Sequence, residues 1–172
     1  MARNIEIKAW SADWAEQSRV AARIADGPPV LIAQTDTFFH ARQGRLKLRE
    51  FADGSGELIQ YQRADSAGPE LSSYIRSPTP DPQSLKESLS AALGVQAVVQ
   101  KNRTLYTVDQ TRIHLDEVSN LGRFIELEVV LRSDQTEDDG ESVAAALMAQ
   151  IGIQQADLIT GAYVDLIARG VD

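Results

Sequence analysis

The chain contains no cysteine, which excludes disulfides, thiolate catalysis and cysteine-based zinc sites. No apolar run approaches the roughly 20 residues of a membrane span, and the first residues carry no signal-peptide apolar core. A cytoplasmic location is the expectation. Positive charge is the scarcer sign: 17 Lys and Arg stand against 25 Asp and Glu, a net charge of −8. That balance argues against general nucleic-acid binding, and it makes any local cluster of bases conspicuous. No repeat, low-complexity tract or interdomain linker interrupts the 172 residues. One domain, residues 1–170, is expected, large enough to bury a real core.

What the sequence does have is alternation. Asn4-Ile5-Glu6-Ile7-Lys8, Arg45-Leu46-Lys47-Leu48-Arg49, Arg112-Ile113-His114-Leu115-Asp116 and Glu126-Leu127-Glu128 each interleave charged and apolar residues. Successive side chains of a strand point to opposite faces, so each stretch separates a greasy face from a charged one. Strands are predicted over residues 4–10, 30–39, 45–51, 57–63, 71–77, 97–108, 112–118 and 124–132. Helices are predicted over 14–25, started by Asp13 and Glu16, over 82–93 behind a capping Asp81, over 142–151 and over 158–167. Asp53-Gly54-Ser55-Gly56 suits a hairpin turn. Residues 66–69 read as a loop, 78–82 as a break in the sheet, and 134–141 as a solvated acidic loop. Eight short strands with helices between groups of them indicate an α+β fold with a mostly antiparallel sheet.

Glu126 and Glu128 share one strand face, roughly 6–7 Å apart at the backbone. A single pair of this kind is most often just solvated. Recurrence raises its interest, because Glu6 holds a similar place in the first strand and Asp116 lies on a charged strand just upstream. Several converging oxygen ligands would suit Mg²⁺ or Mn²⁺. The basic counterpart is Lys8, Lys47, Arg49, Lys101, Arg103 and Arg112. Arg63 can join from the hairpin partner, although its strand is poorly polarised. Such side chains clamp phosphate chains. On one strand they would simply be solubilising charge; on four strands they repel one another unless acids and a ligand balance them. Closing the sheet into a barrel would put the charges inside, but periodicity alone does not choose between open and closed forms. His114 shares the face of Arg112 and Asp116 and is expected to be a hydrogen-bonded structural histidine. Tyr106 and Tyr163 read as packing residues, and Trp10 and Trp14 as core.

Asn4 to Lys8 resembles the amino-terminal ExExK motif of the CYTH superfamily, the triphosphate tunnel metalloenzymes. Residues 34–39, 44–49, 101–103, 113–116, 121–128 and 162–166 match further family stretches in order. The resemblance implies a closed antiparallel eight-stranded β-barrel, a tunnel with helices packed outside. It implies a triphosphate-containing small molecule as partner, bound by Lys8, Lys47, Arg49, Lys101, Arg103 and Arg112, and Mg²⁺ or Mn²⁺ bound by Glu6, Asp116, Glu126 and Glu128. Glu6, Lys8, Glu126 and Glu128 would then form the catalytic set, for phosphohydrolase or adenylate cyclase-like chemistry. Neither nucleic acid nor membrane is an expected partner, and a homodimer is left open. Two positions depart from the family pattern. Asn4 stands where the motif begins with glutamate, which favours a non-catalytic binding module as the alternative, and Ser73 stands where a base is expected.

Overall fold

The computed structural model describes residues 2–64 and 67–169. Its strands are β1 (Ala2–Trp10), β2 (Val30–Phe39), β3 (Arg45–Phe51), β4 (Gly56–Arg63), β5 (Glu70–Thr79), β6 (Val95–Val108), β7 (Thr111–Val118) and β8 (Gly122–Val130). Helices α1 (Trp14–Ile24), α2 (Pro82–Leu93), α3 (Glu137–Ile151) and α4 (Tyr163–Arg169) flank them, with a 3-10 turn at Gln155–Asp157. The strands close into an antiparallel barrel in the order β1-β5-β4-β3-β2-β6-β7-β8. The fold is α+β, and the expected closed eight-stranded barrel is present.

Alternation decides which face goes where. Ile7 and Ala9 of β1, Ile113 and Leu115 of β7, and Ile125 and Leu127 of β8 point outward. They form one buried cluster with Val20 and Ala21 of α1 and Leu147 and Ile151 of α3. Each buried Val, Leu or Ile side chain here contributes about 1.5–3 kcal/mol, so the helices hold the charged faces inward. Gly140 is where α3 comes closest: a Cβ there would sit 2.6 Å from Ile5 and Leu131 atoms. A second cluster, with Phe38, Val99, Phe124 and Tyr163, packs where α4 meets the barrel. Trp10 and Trp14 pack against these clusters, as expected.

Some boundaries differ from expectation for identifiable reasons. β1 begins at Ala2, because residues 2 and 3 pair with Tyr74 and Ser73. β5 runs through Pro78, which stands opposite Glu57. The pairing of β5 with β1 ends at Tyr74, so beyond it one side of the strand has no neighbour and a missing N–H is tolerated. The acidic stretch is not all loop. Thr136 and Asp139 form a reciprocal capping box, and Glu137, Asp138 and Asp139 make the first turn of α3, where negative charge complements the helix dipole. The last helix starts at Tyr163, five residues later than predicted, since Leu158 bridges to Ala9 and the Ile159 amide donates to the Lys8 carbonyl. Ser66 of the expected 66–69 loop, and residues 1 and 170 at the expected domain ends, lie outside the described residues. Among the described residues, no helix is long and apolar enough to cross a membrane.

Candidate functional site

The inner faces enclose a cavity of about 230 Å³ lined by eight basic side chains and five carboxylates. In a chain of net charge −8, that is a local reversal of sign. Register explains the layout. Across β1, β8 and β7, Glu6 stands opposite Glu128 and Glu128 opposite Arg112; in the next row, Lys8 faces Glu126 and Glu126 faces His114. One row deeper, Asp116 stands opposite Arg103 of β6. The outward apolar residues thus set these acids and bases in register on the inside.

The ion pairs follow the rows. Lys8 Nζ lies 3.0 Å from Glu126 Oε1. Arg103 Nε and Nη2 donate to Asp116 Oδ1 and Oδ2 at 2.7 and 2.6 Å, and Nη2 also donates to Glu126 at 2.8 Å. Arg112 Nε donates to Glu128 at 2.9 Å, and Arg63 Nη1 to Glu6 at 2.8 Å. On the far wall, Asp36 accepts from Lys47 at 2.9 Å and from Arg49 at 2.8 and 2.9 Å. Lys101 lies 3.5 Å from Asp116.

Proton affinities respond to this crowding. Burial lowers the lysines, and neighbouring guanidinium groups add to it: Arg63 at Lys8, Arg49 at Lys47, and Arg103 at Lys101, which falls to about 7. Burial pushes Glu126 up, but Lys8 and Arg103 outweigh it and hold the carboxyl well below the usual range. Burial also raises Glu128, which His114 when protonated, Arg112 and Arg103 bring down to about 2. Glu6 goes the other way, raised by burial and by the facing Glu128. Burial, then Arg103, lowers His114, which favours the neutral imidazole.

Glu6, Lys8, Lys47, Arg49, Arg63, Lys101, Arg103, Arg112, Glu126 and Glu128 all line the one cavity. Asp116 is fully buried behind them, its oxygens occupied by Arg103 and by the Tyr163 hydroxyl at 2.8 Å. Sequence reasoning missed several wall residues. Asp36 lies in a strand rich in β-branched and aromatic residues, where it shares a phase with Gln34 and Phe38. Tyr163 is packed as expected, yet it also forms part of the wall: Lys8 Nζ sits 3.8 Å from its ring centroid and Lys101 Nζ 4.7 Å. The inward phase of β5 is Ser72, Tyr74 and Arg76, so the basic residue sought at Ser73 is supplied three residues later by Arg76, paired with Glu57. His114 is hydrogen-bonded as expected, at 3.3 Å from Glu126 Oε2.

The residues fit a divalent cation. Ligand atoms of His114, Glu126 and Glu128 all lie within 4.8 Å of one another. The facing carboxylates of Glu6 and Glu128 repel, which a cation would relieve. Asn4 Oδ1 is buried without a hydrogen-bond partner in the same cavity wall.

A model of the CYTH domain matches residues 2–163. No curated protein matches the sequence. Among solved structures, the PH1012 protein of Pyrococcus horikoshii OT3 superposes with a TM-score of 0.83 at 20% identity, covering 95% of this chain and 98% of that one. The HpAC1 protein of Hippeastrum, described as a candidate adenylyl cyclase with a dominant triphosphatase activity, superposes with a TM-score of 0.69 at 14% identity, covering 100% of this chain and 98% of that one. At these identities the likeness concerns the fold.

Proposed function

Because the chain belongs to the CYTH domain family, we propose that its charged tunnel binds and processes a triphosphate-containing substrate, such as tripolyphosphate, thiamine triphosphate or a nucleoside triphosphate, with a divalent cation. The observation that carries this reading is the excess of cations in the wall, eight basic side chains against five carboxylates around one cavity. A polyanion among them would balance that excess.

Lys8, Lys47, Arg49, Lys101, Arg103 and Arg112 would hold the phosphoryl oxygens, with Arg63 beside Glu6 and Arg76 at the edge. Glu126 and Glu128, with Glu6 opposite, would hold Mg²⁺ or Mn²⁺. When bound, such an ion neutralises phosphoryl charge and polarises the bond to be broken. The present ion pairs give the side chains a second task. Lys8 and Arg103 lie on Glu126, and Arg112 on Glu128. Drawing these bases to phosphate exposes the carboxylates as ligands, so anion and cation favour each other's binding. The bases are fixed on strands around the cavity, so they would be preorganised for the charge that develops on the phosphoryl oxygens. A water nucleophile makes the protein a phosphohydrolase; a ribose 3′-hydroxyl makes it a cyclase.

Asn4 supports a second reading, binding without turnover, since its amide has no charge and cannot serve as a base. Calorimetry with tripolyphosphate, with and without Mg²⁺, tests both readings, and absence of binding overturns both. Phosphate or pyrophosphate release from tripolyphosphate, thiamine triphosphate and ATP separates them.

A further inference from the structure

We propose that His114 is a direct ligand of the tunnel cation, so that the ion is held by one imidazole nitrogen with Glu126 and Glu128 and a first-row transition ion is preferred over Mg²⁺. The inference rests on the metal-dependent reading above. His114 stands directly opposite Glu126 in the β7–β8 register. Its Nδ1 is 3.3 Å from Glu126 Oε2 and 3.8 Å from Glu128 Oε1. Donors held about 2.1 Å from an octahedral ion stand about 3.0 Å apart when adjacent and about 4.2 Å apart across it. The two spacings from Nδ1 lie between those limits. Without an ion, Nδ1–H donates to Glu126; with the ion bound, the Nε2–H tautomer would turn the Nδ1 lone pair to it.

The alternatives for this third position are weaker. Asp116 is fully buried behind the wall and does not line the cavity. Asn4 offers a further neutral oxygen to the same cavity: it is 1% exposed and its Oδ1 has no partner. It sits on the cavity-lining face of β1, two residues from Glu6, whose backbone faces Glu128. The available donors are therefore one nitrogen, the carboxylates of Glu126 and Glu128 with Glu6 opposite, and a neutral amide oxygen. Mg²⁺ favours an all-oxygen shell and surrenders water reluctantly, whereas an imidazole in the set favours the first-row transition ions, Mn²⁺ least among them.

The test is pulsed EPR of Mn²⁺ bound to the full chain. The sequence holds only two histidines, and the other, His40, is exposed and does not line this cavity. Selective ¹⁵N-histidine labelling therefore identifies the ligand without any substitution. The expected result is a directly coordinated nitrogen coupling that changes on labelling. Mn²⁺ should also compete at least tenfold better than Mg²⁺, and His114→Gln should shrink that preference to a few-fold while retaining binding. Bound Mn²⁺ with no histidine coupling overturns the inference but leaves a carboxylate-held metal standing. A folded protein that binds no Mn²⁺ overturns both.

Discussion

Replacing Asp116 by Ala should be among the most destabilising changes in the tunnel. The side chain is fully buried and accepts two hydrogen bonds from Arg103 and one from Tyr163. Breaking a buried ion pair by removing one partner costs about 3–5 kcal/mol. Arg103 keeps Glu126 at 2.8 Å, so the lower figure, about 3 kcal/mol, applies. The Tyr163 hydroxyl loses its acceptor, which adds about 1 kcal/mol. Lys101, already at about 7, can shed its proton and adds little. The total is about 4 kcal/mol, and at about 2–4 °C per kcal/mol for a chain of this size, Tm should fall by about 8–16 °C. Asp116→Asn keeps the volume but loses the charge and should cost nearly as much. Thermal and urea unfolding followed by circular dichroism, in chelator, measure both. Burial raises the Asp116 carboxyl, but Arg103 and Lys101 hold it far below its ordinary 3.8. Its stabilisation is thus fully present above that value and is lost only as pH falls well below it, so the gap between wild type and variant should close only in strong acid. A loss under about 1 kcal/mol, with metal binding abolished instead, would refute the anchoring role and make Asp116 a ligand.

Glu126→Gln should lower metal-dependent turnover by about 100-fold or more and reduce Tm, because Lys8 and Arg103 lose a charged partner; wild-type phosphate release would remove Glu126 from the chemistry. Lys101 is lowered to about 7 by burial and Arg103, so its amine is mostly neutral at pH 8 and an arriving polyanion should draw a proton onto it. Calorimetry in buffers of different ionisation enthalpy should find that uptake at pH 8 and lose it in Lys101→Met; an unchanged proton count rules Lys101 out. Asn4→Glu should raise turnover in the presence of Mn²⁺ and lower Tm in chelator, since it buries another acid near Glu6. Activity assays and melts report on each, and unchanged turnover would show that the amide does not limit the natural protein.

Much of the tunnel wall was legible because a strand's period is two. Glu6 and Lys8, Lys47 and Arg49, Lys101 and Arg103, and Glu126 and Glu128 each alternate with residues that do not line the cavity, so their shared face was readable without coordinates. The misses have physical causes. Asp36 sits among β-branched and aromatic neighbours that masked its phase. In β5 both phases carry polar residues, so Ser73 could be mistaken for an inward position. Thr136 and Asp139 turned part of an acidic run into a helix start through a local hydrogen-bonding pattern that charge counting overlooks. Tyr163 enters the wall from a helix 35 residues beyond Glu128, the nearest tunnel carboxylate in the chain, a juxtaposition that no local pattern contains.

The sequence by itself determined the strands, the separation of charged from apolar faces, and the resemblance that named a phosphate-binding tunnel, because these depend on local periodicity and on motif order. Only the tertiary structure decided that the charged faces point inward around one cavity, that Asp116 anchors Arg103, and that His114 meets Glu126 and Glu128. Those facts depend on barrel closure and on the register between strands far apart in the chain. Side-chain alternation says which way a residue faces, but only closure and register say what stands opposite it.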